Sequence, residues 1–281
     1  MESQEYDVRR LSGALGAEIM GIDLGGALTD ELRSTVTGLL AEHSVVAFRG
    51  QRSDLDRLTE LTEWLGGFGE TPFLRSMDGH PGVVQVVAEA EDTTAGNFGG
   101  VWHSDWSFQP RPPKYTILMA KDIPPVGGDT MWSCQYLAYE TLSAGLRATL
   151  DQLDVVHSAG RSYSPDGAIA KTATGRTMQI DVDESANEEY VHPAVITNPD
   201  TGRRALFVNP TYSVRFDGWS VADSQPLLDH LSAHATSPEF TCRLRWSDDT
   251  ITIWDNRCTQ HNALNDYRGH RRELHRTTVR S

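Results

Sequence analysis

From about residue 100 onward the chain is written in strand-sized pieces. Tyr115 to Ala120, Ala194 to Thr197, Ala205 to Val208, Phe240 to Trp246 and Thr250 to Trp254 are rich in β-branched and aromatic residues, and Gly, Pro, Asn and Asp clusters separate them. No piece this short can bury a core by itself, so the pieces must share one. That predicts a sandwich or barrel, with the spacing a jelly-roll sheet requires. Helical stretches are expected near Leu137 to Leu153 and Ser224 to His234. Ser162 to Glu189 mixes Gly, Ala, Thr, Ser and acids without a sustained period, so 162–189 is expected to be a lid or mobile loop and the least ordered part.

The first hundred residues follow another rule. Ala17 to Leu24 alternates apolar with small or polar residues before Gly25-Gly26 and reads as a strand. Thr29 and Asp30 can cap a helix carrying Leu32, Val36, Leu39 and Leu40 at helical spacing, and Val45 to Phe48 follows as a buried strand. A second capped helix is expected from Ser53, with Leu55, Leu58, Leu61 and Leu65 on one face and Gly66-Gly67 as its stop; Val83 to Val87 is another short strand. The expected fold is mixed α+β, a strand-built core with flanking helices. At 281 residues it fits one decorated domain spanning 1–281.

Charge narrows the partners. A formal net charge of -14 argues against a nucleic-acid or anionic-membrane surface, so an anionic ligand would need a local basic pocket. Three scattered cysteines build neither a disulfide framework nor a paired metal site, which fits a reducing cytoplasm. The start of the chain mixes acids and bases rather than leading into an apolar run, and no apolar stretch of about 18 residues occurs. A small-molecule partner is the expectation.

The chemistry centres on Trp102-His103-Ser104-Asp105. On a strand, positions i and i+2 face the same way, so His103 and Asp105 could both point at one metal ion. An HxD tripeptide alone is common by chance. Two histidines and a carboxylate on one face of an iron ion would leave positions open for a co-substrate and dioxygen, so a second histidine is needed. His261 is the candidate, following the strand-like Thr250 to Trp254 and the polar turn Asp255-Asn256-Arg257; read blandly, it is a loop histidine. No GxGxxG turn occurs between a strand and a helix, so no nucleotide site is read.

Taken together, His103-Ser104-Asp105, Gly127-Gly128-Asp129-Thr130, Trp254-Asp255-Asn256-Arg257, Gln260-His261 and Arg272 to Arg276 resemble, in order and spacing, the TauD/TfdA (taurine dioxygenase-like) family of Fe(II)/2-oxoglutarate-dependent oxygenases. The resemblance extends over nearly the whole chain. It implies a double-stranded β-helix, or jelly roll, with Fe(II) held by His103, Asp105 and His261 at its mouth, and 2-oxoglutarate and O2 as co-substrates. It implies Arg272, eleven positions beyond His261, and Thr130 as the partners of the far carboxylate of 2-oxoglutarate. A guanidinium fork suits that task.

Arg276 matches the family position that meets the anionic group of the prime substrate, so a small anionic substrate is expected. Taurine itself is disfavoured. Thr71-Pro72-Phe73-Leu74 stands where taurine-oxidising members place a histidine, and Gly99 where they carry an asparagine. Phe73, Trp106 and Phe108 would suit a larger or more apolar molecule if they line the pocket, or else are ordinary core aromatics. The activity implied is hydroxylation of an unactivated C–H bond with release of succinate and CO2. Family members commonly assemble as dimers or tetramers. Two other readings stand beside this one: a zinc hydrolase using the same triad, and a jelly-roll binding protein without turnover. A hydrolase has no use for an internal arginine aimed at a dicarboxylate.

Overall fold

A computed structural model describes residues 5–94 and 96–281; the mixed-charge start of the chain falls partly on residues 1–4, outside the described residues. Its local structure follows from caps and periodicity. Thr29 accepts a hydrogen bond from the Leu32 N–H and opens the helix Asp30–His43. The next helix, Leu55–Leu65, is capped by Asp54 and not from Ser53: the Asp54 carboxylate accepts from the Arg57 N–H at 2.9 Å. Asp54 lies one residue nearer the helix's free N–H groups, which decides between the two. Gly66 at φ 141° and Gly67 at φ 88° end it in a region other residues avoid.

Both helices lie on one face of an eight-stranded sheet. Its order is Asp7–Arg10, Ala17–Met20, Val45–Phe48, Ile251–Asp255, Tyr115–Asp122, Arg272–Val279, His80–Ala88 and Ser76–Met77. Only the pairing of Ala17–Met20 with Val45–Phe48 is parallel among the described strands, and the helix Asp30–His43 supplies the crossover such a pair needs. Ile19, Val46, Phe48, Ile117 and Ile253 meet Leu39, Leu40, Leu58 and Leu61 of the helices. The opposite parity, including Val45, Ala47, Leu118, Trp254 and Leu274, packs with Trp132, Cys134 and Leu244. The latter come from a three-stranded sheet ordered Thr241–Leu244, Thr130–Cys134, Thr259–Ala263. A sheet covered on both faces has apolar residues at both parities, which is why Val45–Phe48 is an unbroken apolar run.

These facing sheets are the jelly-roll core of a mixed α+β fold. A smaller sheet of Ser213–Phe216, Asp154–Ser158 and Glu189–Pro193, with the helix Val221–Ala235, closes one end. The expected helix over Leu137 to Leu153 is two helices, Gln135–Glu140 and Ala144–Leu150. Ser143 starts the second by accepting from the Leu146 N–H. The 162–189 segment holds the helix Ala168–Lys171 and the 3₁₀ turn Glu184–Asn187, joined by irregular chain.

Candidate active site

His103 and His261 meet through their backbones. The His103 N–H donates to the His261 carbonyl at 3.1 Å and the His261 N–H to the His103 carbonyl at 2.8 Å, an isolated bridge between a loop and the strand Thr259–Ala263. Asp105 does not continue a strand, as its spacing from His103 suggested. It enters a turn in which Trp106 takes φ 49°, an uncommon conformation for a residue with a side chain, and the turn rather than a strand's parity aims the carboxylate. Asp105 Oδ1 is 3.5 Å from His103 Nε2 and 3.9 Å from His261 Nε2, and one donor atom from each residue lies within 4.8 Å of the others.

Neighbours prepare each donor. His103 Nδ1 is 2.7 Å from the Val101 carbonyl, which assigns the ring proton to Nδ1 and leaves the Nε2 lone pair facing Asp105. Trp254 Nε1 donates to Asn256 Oδ1, Asn256 Nδ2 donates to Thr116 Oγ1, and Thr116 donates to Asp105 Oδ2 at 2.7 Å. This chain fixes the carboxylate plane and leaves Oδ1 for another partner. The Trp254 ring packs on His261 with centroids 4.8 Å apart.

Burial would raise the Asp105 carboxyl, but Arg276, His261 and His103 together outweigh it and hold it well below the usual range. Burial, reinforced by His103, pushes His261 down to about 3, so its imidazole is neutral at physiological pH. Two imidazoles and one carboxylate converging on a small volume fit the donor set of a two-histidine, one-carboxylate metal site.

The cavity that Asp105 and His261 line also reaches Thr130, Arg272 and Arg276. Arg272 is 4% exposed, and no carboxylate lies within ion-pair distance of it among the described residues. Its Nε donates to the Gly128 carbonyl at 3.0 Å, orienting the guanidinium. Gly128 sits at φ 69°, and a Cβ there would lie 3.0 Å from Arg272, so only glycine leaves room for it. Burial lowers Arg272 to about 10, still cationic at neutral pH. Thr130 Oγ1 accepts from Trp246 Nε1 at 3.0 Å, which leaves its own proton to donate. A buried, unneutralised guanidinium beside a free hydroxyl proton fits a carboxylate.

Arg276 Nη2 approaches Asp105 Oδ1 to 2.9 Å, out of alignment for a hydrogen bond, and its guanidinium lies 4.7 Å above the Trp106 ring. Phe73 stacks on Tyr163 with centroids 4.9 Å apart, while Phe108 packs between Trp106 and Tyr212. The sequence reading missed Tyr163 and Tyr212, which with His103, Phe98 and Arg176 line an adjoining cavity of about 230 Å³. It also missed Thr116, whose only sequence signal is a polar residue inside an apolar strand.

A family profile described as "Taurine catabolism dioxygenase TauD, TfdA family" matches residues 7–278. The chain belongs to this family. It is 35% identical over 279 residues to an alkylsulfatase of Acinetobacter baylyi, with 99% of this chain and 86% of that protein covered. It is 36% identical over 279 residues to an alpha-ketoglutarate-dependent sulfate ester dioxygenase of Pseudomonas putida, covering 98% and 89%. A solved structure of a putative alpha-ketoglutarate-dependent taurine dioxygenase from Burkholderia xenovorans superposes with a TM-score of 0.82 at 32% identity, covering 99% and 93%.

In a TauD/TfdA member the Thr116 relay has a measurable consequence. Thr116→Val keeps the shape but leaves Asp105 Oδ2 without its donor, and is expected to weaken metal retention about 10- to 100-fold. Competition with a chromogenic chelator reads this out; unchanged affinity would mean that Thr116 does not support the ligand.

Proposed function

We propose that this protein is an Fe(II)- and 2-oxoglutarate-dependent dioxygenase that hydroxylates an unactivated C–H bond of a small anionic molecule, with release of succinate and CO2. The observation that carries the reading is one cavity lined by Asp105 and His261 of the triad together with the unneutralised Arg272 and Thr130, with His103 within donor reach of both ligands. A zinc hydrolase would need the triad but not the second half, and a binding protein without turnover would need neither the arranged lone pairs nor the Asp105 relay.

The geometry supports the following roles. His103, Asp105 and His261 would hold Fe(II), which with bound 2-oxoglutarate and O2 supplies the oxidising power for C–H cleavage. Arg272 and Thr130 hold the far carboxylate of 2-oxoglutarate. Arg276 meets the anionic group of the substrate, and Trp106 supports Arg276 from beneath. Phe73 stiffens the Tyr163 wall, and the 162–189 segment covers the cavity and keeps water out.

The names of the curated relatives support a sulfate ester as substrate. Taurine is not proposed. Phe73 occupies the neighbourhood where a histidine would be needed, and Gly99 offers no side chain where an asparagine would be needed. Three free, buried cysteines support a reducing, cytoplasmic setting, and the family resemblance supports a dimer or tetramer.

Succinate release from 2-oxoglutarate, measured across alkyl sulfates, alkylsulfonates and aryloxyacetates, tests the reading. Stimulation by at least one anionic class is expected, and 2-oxoglutarate consumption unaffected by every class would sink it. In the same assay Arg276→Ala is expected to raise the substrate KM about 10-fold or more while changing the 2-oxoglutarate KM little. The reverse pattern would remove Arg276 from the substrate side.

A further inference from the structure

Arg176 is a cation that the site described so far does not use. It lines the 230 Å³ cavity that His103, Tyr163 and Tyr212 also line. No carboxylate lies within 4 Å of it among the described residues, and its Nε is buried without a hydrogen-bond partner. In that cavity Phe98, Val101, Ile169 and Ile180 give it apolar neighbours, while its other side borders a polar cavity that Glu89 and Asp92 line. An unpaired guanidinium in such surroundings carries a desolvation penalty that an anionic partner would relieve.

Its backbone is held in place on both sides. The Thr93 N–H donates to the Gly175 carbonyl at 2.9 Å, and the Thr177 N–H and hydroxyl donate to the Asp92 carboxylate at 3.1 and 2.7 Å. Gly175 has φ 75°, and a Cβ there would lie 2.2 Å from Thr93 Oγ1. Glycine is therefore required immediately before Arg176, both by conformation and by space. Asp92 is fully engaged by Thr177 and the Glu89 N–H, so it tempers the arginine's field without pairing with it.

We infer that Arg176 is a second anion-gripping residue for the prime substrate, holding its sulfate group from the outer wall of the cavity while Arg276 faces it from the inner end. Tyr163 lines the outer cavity with Arg176, and its phenol lies within the electrostatic field of both guanidiniums. The two cavities adjoin, with Phe98 and Gly99 lining both. Arg276 lines the inner cavity with both terminal nitrogens free of hydrogen-bond partners among the described residues, and Arg176 lines the outer one. A sulfate has three terminal oxygens and can accept from two arginines at once; a carboxylate has two in one plane.

This inference rests on the sulfate-ester reading. The test uses iron-reconstituted enzyme with linear alkyl sulfates and alkyl carboxylates of matched chain length, read by succinate release. Arg176→Gln is expected to raise the alkyl sulfate KM about 10- to 100-fold, with the 2-oxoglutarate KM and the melting temperature unchanged. Arg176→Lys should recover part of the loss. Gly175→Ala, which leaves the arginine in the sequence but displaces it, should reproduce the Arg176→Gln pattern. An unchanged alkyl sulfate KM in Arg176→Gln, or a rise confined to 2-oxoglutarate, would overturn the inference while leaving the oxygenase reading intact. Turnover by the wild type of the carboxylates but not the sulfates would overturn the sulfate reading and this inference with it.

Discussion

Asp105→Ala is expected to abolish Fe(II) retention and reduce 2-oxoglutarate turnover to background. The loss should exceed the about 10- to 100-fold that removal of a supporting group causes, because Asp105 is the sole anionic donor among the three residues. The same change leaves Arg276 buried without its carboxylate, which costs about 3–5 kcal/mol when one partner of a buried pair is deleted. A lower melting temperature should therefore accompany the lost activity. Asp105→Asn separates the two effects, since it keeps the volume and an acceptor for Thr116 but not the charge. Metal content by elemental analysis, together with thermal melts, checks both; an alanine variant that retains one iron per chain would contradict the ligand assignment.

Arg272→Ala should have the second-largest effect, on the co-substrate alone. Charge-assisted hydrogen bonds contribute about 1.5–3 kcal/mol each, so losing the fork should raise the 2-oxoglutarate requirement by about 10- to 100-fold or more. Turnover at saturating 2-oxoglutarate should fall much less, because on the proposed reading the other end of the molecule would be held at the triad. Arg272→Lys should rescue little: a lysine lacks the Nε that donates to Gly128 and the paired donors that match a carboxylate. Steady-state kinetics with varied 2-oxoglutarate decide this, and an unmoved half-saturation would remove Arg272 from the co-substrate site.

Much of the scaffold was legible because its rules are local. The caps at Thr29 and near Leu55, the glycine stop at Gly66-Gly67 and the apolar run Val45–Phe48 each specify an element with little outside help. The strands that build the site were harder to read. Thr130–Cys134 and Thr259–Ala263 are polar where they face the cavity, so the apolar pattern that marks a strand is absent where the chemistry is densest. The HxD pair was found by its residue types, but the geometry behind it was not a strand's alternation; a turn with Trp106 at positive φ does the aiming, and no periodicity announces that.

Long-range partners were invisible for a related reason. Thr116 supports Asp105 across 11 residues, Asn256 supports Thr116 across 140, and Tyr163 and Arg176 reach the cavity from a segment without period. Their signals exist only after folding. Family resemblance linked Thr130 and Arg272 to His261, and the structure adds the glycine at 128 that gives Arg272 its room.

On the proposed reading, His103, Asp105 and His261 bind Fe(II), and Arg272 beside them binds 2-oxoglutarate. An anaerobic titration of the iron-loaded protein with 2-oxoglutarate, followed in the visible range, tests it most directly. A weak charge-transfer absorption should grow to saturation with Fe(II), be absent with Zn(II) and in Asp105→Ala, and require higher 2-oxoglutarate in Arg272→Ala. No absorption with Fe(II), combined with oxygen-independent hydrolysis of a sulfate ester by the zinc-loaded protein, would contradict the account.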